Sequence, residues 1–455
     1  MAQENILLIH WHDLGRHLGC YGASGAPSPV IDRLAADGVR FSNAHASAPL
    51  CSPARGSLFT GRYPHSTGLV GLAHHGFEYH DDVRTLPSLL GDNGWRTALF
   101  GMQHESSDPR RLGFDEFDVS DSLCDYVVDR SIDWLRVHAA DAEPFLLTAG
   151  FFETHRPYPA DQYPPDDPAT VTVPGFLPDA RPVREDIAAL HGSIAKADAA
   201  VGRLLTALAD DGLDRNTWVV FLTDHGLAFP RAKSTLYAEG TGIACVIRPP
   251  QDRELGPFVY EELFSGVDLT PTLLDLLGLP VPEAVEGFSH ADELLSGGAS
   301  ARPVRAEVFT EKTYHDTYDP IRAVRTRHHS YIENFAQRPA LSLPLDIRDS
   351  PSARALDGSE DLPRPPRELY DLDLDPHERV NLVNDPAYAD IGAELAGRLA
   401  RWREDTGDRL PAESTGNAVA REFMERYRAQ LERVSDAQRS LVSRRPRGVE
   451  RDLSG

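Results

Sequence analysis

The strongest constraint on folding is an alternation along the chain: short apolar runs recur between longer stretches with helical spacing. Residues 5–9 (N-I-L-L-I), 97–101, 145–152 (F-L-L-T-A-G-F-F) and 217–222 (T-W-V-V-F-L) are brief and almost continuously apolar, as strands buried on both faces are. Helical patterns lie between them at 28–38, which has a Ser-Pro start and a terminal glycine, and at 85–93, 185–209 and 267–277. The clearest is 185–209, whose stripe of Ile187, Leu190, Ile194, Ala197, Val201, Leu204, Leu205 and Leu208 stops at Asp210-Asp211-Gly212. Strands alternating with helices predict an α/β fold, with a large, mostly parallel sheet sandwiched by helices. The texture changes beyond about residue 320. Segments 321–324 and 329–334 read as strands of a smaller antiparallel unit, followed by a Pro/Ser/Asp-rich loop at 346–367, an extended segment at 368–372 and a helix at 388–406. The expected domains are an α/β catalytic domain over 1–320, a small C-terminal α+β subdomain over 321–410 and a charged helical tail over 411–455.

Charge narrows the partners. With 46 basic against 70 acidic side chains the formal net charge is −24, and only three of the basic residues are lysines (Lys196, Lys233, Lys312). That balance argues against a nucleic-acid surface or a polybasic membrane patch, and no apolar run of about 18 residues is present to span a bilayer. An anionic substrate is compatible only where local cations or a metal reverse the field. The first residues read as the first buried strand and not as a signal peptide, and the widely spaced Cys20, Cys51, Cys124 and Cys245 do not form a disulfide framework, so a reducing, cytoplasmic setting is the expectation.

In an open parallel sheet, ligands bind at the carboxyl ends of the strands. Four strand ends here carry imidazoles or carboxylates: His10-Trp11-His12-Asp13, Gly101-Met102-Gln103-His104-Glu105, Glu153-Thr154-His155-Arg156 and Thr223-Asp224-His225-Gly226. The pairs His12-Asp13 and Asp224-His225 point to a metal held by rigid elements. The sharpest element is Cys51-Ser52-Pro53-Ala54-Arg55, in a Pro- and Gly-punctuated segment that opens a short helix. Four residues separate Cys51 from Arg55, one helical turn, so a guanidinium would sit beside whatever Cys51 carries. A thiolate nucleophile at a helix N-terminus is one reading of that arrangement.

C-S-P-A-R at 51–55, continued by S-L-F-T-G-R at 57–62, resembles the C-x-P-x-R signature of type I sulfatases, in the alkaline phosphatase superfamily. The resemblance runs from about residue 5 to 406 and includes N-I-L-L-I-H-W-H-D-L-G at 5–15, V-V-F-L-T-D-H-G at 219–226, K-S-T-L-Y-A-E-G-T at 233–241, D-L-T-P-T-L-L-D at 268–275 and E-L-Y-D-L-D-L-D-P-H-E at 368–378. Within the family it is most similar to the heparan N-sulfatase (sulfamidase) branch, through G-L-A-H-H-G-F-E-Y-H at 71–80, F-P-R-A-K-S-T-L-Y at 229–237 and L-P-L-D-I-R-D-S-P-S at 343–352. The resemblance implies hydrolysis of a sulfate ester or N-sulfo group by a formylglycine made from Cys51. It further implies a formylglycine-generating enzyme as maturation partner and a small-molecule or saccharide sulfated substrate. By the same resemblance Arg55 would stabilise the aldehyde hydrate, Lys233 would bind sulfate oxygens, and His155 would contact the sulfo group or protonate the leaving group. His104 matches the histidine of the family's G-K-x-H segment. One divalent metal would be held by His12, Asp13, Cys51, Asp224 and His225.

Three positions depart from the family pattern. His12 replaces the first of the usual two aspartates, and His225 stands where many members have asparagine. Calcium is the family default, but two imidazoles suit manganese or zinc better. Met102 replaces the lysine of G-K-x-H, which leaves open a slower enzyme, a different anion, or compensation by Arg156 or Lys233. Two alternatives to a sulfatase stay open on the sequence. One is a phosphonate monoester or phosphodiester hydrolase of the same superfamily, where an Asp-His pair also occurs; the other is an inactive sulfated-glycan-binding homologue. The cluster His74, His75 and His80, with Tyr314 and His315, would line the substrate mouth.

Overall fold

The computed structural model describes residues 4–298 and 304–411. Its large sheet has eight strands: β1 (Asn5–Trp11), β2 (Val39–Phe41), β3 (Arg96–Gly101), β4 (Glu116–Asp118), β5 (Phe145–Gly150), β6 (Thr217–Thr223), β7 (Cys245–Arg248) and β8 (Phe258–Tyr260). Their spatial order is β4-β3-β5-β1-β6-β7-β2-β8. All neighbours pair parallel except around β7, which runs antiparallel to both β6 and β2.

The period-2 geometry of a strand sends alternate side chains to opposite faces, and β1 shows why its run is apolar throughout. Leu7, Ile9 and Trp11 enter one core, and Ile6 and Leu8 enter the other. On the first face the helix Arg181–Asp210 packs against the helices Cys124–His138 and Pro29–Ala36. It begins four residues before its predicted start at 185, because Pro182 sits in the first turn, where a missing N–H costs no hydrogen bond. On the second face lie the helices Cys51–Thr60 and Leu269–Leu276, the latter preceded by a 3₁₀ turn at Gly266–Asp268. The large sheet thus has helices on both faces, as the alternation of runs predicts.

The smaller sheet is antiparallel, with β9 (Val308–Tyr314), β10 (Tyr318–Arg325), β11 (His329–Asn334) and β12 (Arg367–Asp371) in sequential order. It opens at residue 308, upstream of the change in texture near 320. Apolar patterning does not show β9, because Glu311 and Lys312 occupy its middle. Both are buried and paired, Glu311 with His65 and Arg322, and Lys312 with Asp319. The helix Ala389–Asp405 covers this sheet with Leu395, Leu399 and Trp402, and Tyr63 of the large domain joins the same cluster. The predicted loop at 346–367 holds the last three residues of a helical turn, Leu345–Arg348. The charged tail predicted over 411–455 lies outside the described residues, apart from Pro411.

The D-L-T-P-T-L-L-D segment at 268–275 has a clear structural task. The fully buried Asp268 accepts the backbone N–H groups of Ser265 (2.9 Å) and Phe288 (2.7 Å) and pairs with Arg305 and His290. Burial alone would raise its pKa, but Arg305 and His290 outweigh that and hold it at about 2. A carboxylate depressed in this way stabilises the fold above its unfolded pKa, and the contribution disappears as pH falls through the folded value. The stability advantage of the wild type over Asp268→Asn, measured by denaturant unfolding, should therefore shrink by roughly 2–3 kcal/mol between pH 5 and pH 2.

Candidate active site

The site is assembled by strand register. β1 and β6 are neighbours with Trp11 opposite Thr223, so His12-Asp13 and Asp224-His225 leave the sheet side by side. The exits are tied together: Gly15 N–H donates to the His225 carbonyl (2.8 Å), and Asp13 N–H donates to Asp224 Oδ1 (2.9 Å). Asp13 has φ of 57°, the left-handed region that a short polar side chain tolerates best after glycine. Beyond β5 the ladder continues irregularly, with His12 N–H to the Glu153 carbonyl (3.0 Å) and Thr154 N–H to the His12 carbonyl (3.1 Å), which delivers His155 to the same rim. Cys51 enters from the opposite side as the first residue of the wholly buried helix Cys51–Thr60.

These elements converge on one point. His12 Nδ1 lies 2.8 Å from Asp13 Oδ1 and 3.4 Å from Asp224 Oδ2, and His225 Nε2 lies 3.0 Å from Asp13 Oδ1. Cys51 Sγ is 3.4 Å from His225 Nε2, 3.8 Å from Asp13 Oδ1 and 3.9 Å from His12 Nδ1. One ligand atom from each of the five residues lies within 4.8 Å of all the others. The donor chemistry fits a divalent cation. His225 Nδ1–H donates to the Gly226 carbonyl (3.0 Å), which leaves the Nε2 lone pair facing the cluster. His12 turns Nδ1 toward both carboxylates while its buried Nε2 has no hydrogen-bond partner. Two imidazole nitrogens set against two carboxylates are a donor set that a divalent cation can share. With protons alone, burial would lower the His12 pKa, but Cys51, Asp224 and Asp13 raise it to about 9.

The thiol of Cys51 differs from the other three. Burial pushes Cys20 up to about 12 and raises Cys124 and Cys245 as well. At Cys51 burial acts in the same direction, but Lys233, His12 and His225 overcome it and hold the thiol well below its ordinary value. Arg55, one turn along the helix, donates Nε–H to Asp224 Oδ2 (3.1 Å) and Nη1–H to His10 Nδ1 (2.6 Å), while its buried Nη2 has no partner. Lys233 donates to Asp13 Oδ2 and Asp346 Oδ2, both at 2.7 Å, and these anions keep its ammonium charged against the cost of burial. His155 places Nε2 3.6 Å from Asp13 Oδ2, with Nδ1–H donated to the Arg156 carbonyl. His104 is 5.9 Å from His12 between ring centroids and bonds through Nε2 to Nδ1 of His74 (2.8 Å), the two rings stacked. A cavity of about 410 Å³ is lined by Ser234, the residue after Lys233, with Lys312, His315, Arg338 and Arg348 among others.

All nine residues singled out in the sequence therefore meet at one rim. Arg156 does not supply the cation missing at Met102: its guanidinium forms two 2.7 Å bonds to Asp186 and one to the Ala228 carbonyl, away from the cluster. Two residues of the site were given no role from the sequence. His10, read as part of the segment leaving the first strand, lies within β1, and its side chain has room because residue 150, opposite, is glycine. Asp346 sits in a segment read as a loop of the small subdomain.

Fold and site together define an α/β protein in which a cysteine at the start of a buried helix faces a cluster of candidate metal ligands at the strand ends. The chain belongs to the sulfatase family: a family model described as Sulfatase matches residues 4–279, more than half of its length. It is 31% identical to human N-sulphoglucosamine sulphohydrolase over 458 positions, covering 89% of this chain and 91% of that protein. A solved 2-O GAG sulfatase superposes with a TM-score of 0.67 at 24% identity, covering 91% of this chain and 96% of that one. A structure described in complex with its substrate D-glucosamine-2-N,6-O-disulfate superposes with a TM-score of 0.69 at 20% identity, over 90% and 99% of the two chains. The protein is thus a sulfuric ester hydrolase with the sulfatase fold.

A Cβ at Gly150 would lie 2.1 Å from the Met102 carbonyl oxygen and 2.7 Å from the His10 ring, the partner of Arg55. Gly150→Ala should lower unfolding stability by about 1–3 kcal/mol. The control Gly256→Ala, with nothing within 4 Å of the added carbon, should stay within about 0.5 kcal/mol. Thermal or denaturant unfolding of both variants checks the pair.

Proposed function

We propose that the protein hydrolyses a sulfated saccharide, at an N-sulfo group or a sulfate ester, through a formylglycine formed from Cys51 with one bound divalent metal. The observation that carries the reading is the position of Cys51, first in a buried helix with its sulfur within 3.9 Å of three candidate ligand atoms. The names of the relatives support the substrate class, one being an N-sulphoglucosamine sulphohydrolase and another bound to an N- and O-sulfated glucosamine.

His12, Asp13, Asp224 and His225 would hold the metal, with the oxygen of modified residue 51 in place of sulfur. The chemistry such an ion supplies is Lewis-acid polarisation of a sulfate oxygen. The chain's own residues do the rest. Lys233 and the unpartnered Nη2 of Arg55 offer donors to the sulfate oxygens and offset the charge that moves in the transition state. The gem-diol of formylglycine attacks sulfur, and the S–O or S–N bond breaks toward the leaving group. His155 Nε2 is the atom placed to give that group its proton; burial lowers its pKa, and Asp13 and the negative charge of a bound sulfate act in the opposite direction. Collapse of the sulfated hydrate to the aldehyde then expels sulfate, which spares water from attacking a trapped ester. A formylglycine-generating enzyme is the maturation partner this scheme needs.

Mass spectrometry of the tryptic peptide 41–55, from protein made with that enzyme present, should show aldehyde or its hydrate at position 51. An unmodified thiol there would overturn the nucleophile. A chelator should abolish sulfate release, and manganese or zinc should restore it better than calcium, as followed by free sulfate. A preference for phosphonate monoesters over sulfated sugars by orders of magnitude would move the protein to the phosphoryl branch of the superfamily.

A further inference from the structure

Asp346 is out of keeping with an anion pocket. Its Oδ2 lies 2.7 Å from the Lys233 ammonium and 3.9 Å from His155 Nε2. Lys233 bridges it to Asp13 Oδ2, also at 2.7 Å, so a carboxylate–ammonium–carboxylate chain runs outward from the buried cluster. Asp13 is fully buried, whereas Asp346 and His155 are each 22% exposed and form the outer end of that chain. Among the described residues Asp346 Oδ1 has no hydrogen-bond partner. The mount is firm: Leu345 N–H donates to Asp316 Oδ2 (2.8 Å), Ile347 is fully buried, and Ser352 bonds Asp186 through both its N–H and its hydroxyl (3.2 and 2.6 Å).

A carboxylate beside the lysine that receives sulfate weakens binding of any anion, unless the substrate brings a donor to meet it. An ionised carboxylate only accepts hydrogen bonds. The bridging atom of a sulfate ester is an oxygen, which carries no hydrogen and would repel Asp346. The bridging atom of a sulfamate is a nitrogen with one N–H. We infer that Asp346 is a specificity-determining residue that accepts the N–H of the leaving nitrogen, so that the site favours N-sulfo over O-sulfo sugars. The inference rests on the proposed sulfatase reading and adds the atom that distinguishes the two substrate classes. In the step, His155 passes a proton to the sulfamate nitrogen, which becomes positive. The S–N bond then breaks with its electron pair going to nitrogen, sulfur bonds to the oxygen of the formylglycine hydrate, which gives up its own proton to water, and the neutral amine leaves. Asp346 stabilises the positive nitrogen in the interval, whereas an ester oxygen gains negative charge as its S–O bond breaks and would be repelled by the carboxylate.

The test compares wild type with Asp346→Asn, which keeps shape and loses charge, on N-sulfoglucosamine and glucosamine 6-O-sulfate, with formylglycine content matched. The ratio of kcat/KM for the N-sulfo to the O-sulfo substrate should fall by about 10- to 100-fold, the range for losing a charge-assisted hydrogen bond. Calorimetry supplies a readout independent of turnover: the variant should bind D-glucosamine more weakly and inorganic sulfate no more weakly than wild type. An unchanged ratio with both substrates slowed alike would overturn the inference and leave Asp346 as a group that only positions Lys233. Absence of sulfate release from either substrate by formylglycine-bearing wild type would instead overturn the underlying sulfatase reading, and the binding comparison would still decide whether Asp346 meets an amine.

Discussion

Asp13 and Asp224 are carboxylates buried at the ends of adjacent strands, and their uncompensated charge is the constraint that orders everything around them. Two such groups in a low-dielectric interior are costly unless cations or hydrogen-bond donors meet them. The fold supplies these from every side: Arg55 from the buried helix, Lys233 from the loop after β6, His12 and His225 from the strand ends, and the Asp13 amide itself. The same convergence that offsets the charge builds a ligand cage. Stability and function share one arrangement, which is why the outermost partner, Asp346, has to be drawn from another part of the chain.

The departures from the family pattern become consistent when viewed as a charge distribution. The cluster exchanges an acidic ligand for His12 and an amide for His225, softening the donor set without enlarging it. Met102 removes a cation from the rim, and Arg156 does not restore it because Asp186 holds its guanidinium. The fixed positive charge beside the cluster is therefore concentrated in Lys233 and Arg55, which pair with Asp13 and Asp224. Asp346 places an acidic group close to these few cations, which is the basis of the leaving-group preference proposed above. The smaller sheet is tied to the rest of the chain by a buried ion network, Glu311 and Arg322 pairing with His65 and Asp408, and the loop after its third strand brings Asp346 to Lys233.

The sequence by itself determined the alternation of strands and helices, the parallel sheet and its ligand-bearing ends, and the Cys51–Arg55 turn. These are local in the chain: a period of two or of 3.6 is written in adjacent residues, and a metal pair at a strand end is two letters long. The tertiary structure decided what depends on contact between distant segments. Asp346 meets Lys233 across 113 residues and His10 meets Arg55 across 45, and neither contact leaves a trace in spacing. The strand Val308–Tyr314 was hidden because its central Glu311 and Lys312 look solvated until their partners from elsewhere bury them. Arg156 looked available for an anion until Asp186 proved to hold it. A sequence shows which groups carry charge. Only packing shows which of those charges are already neutralised, because that depends on distances of a few ångströms between residues that the chain order keeps far apart.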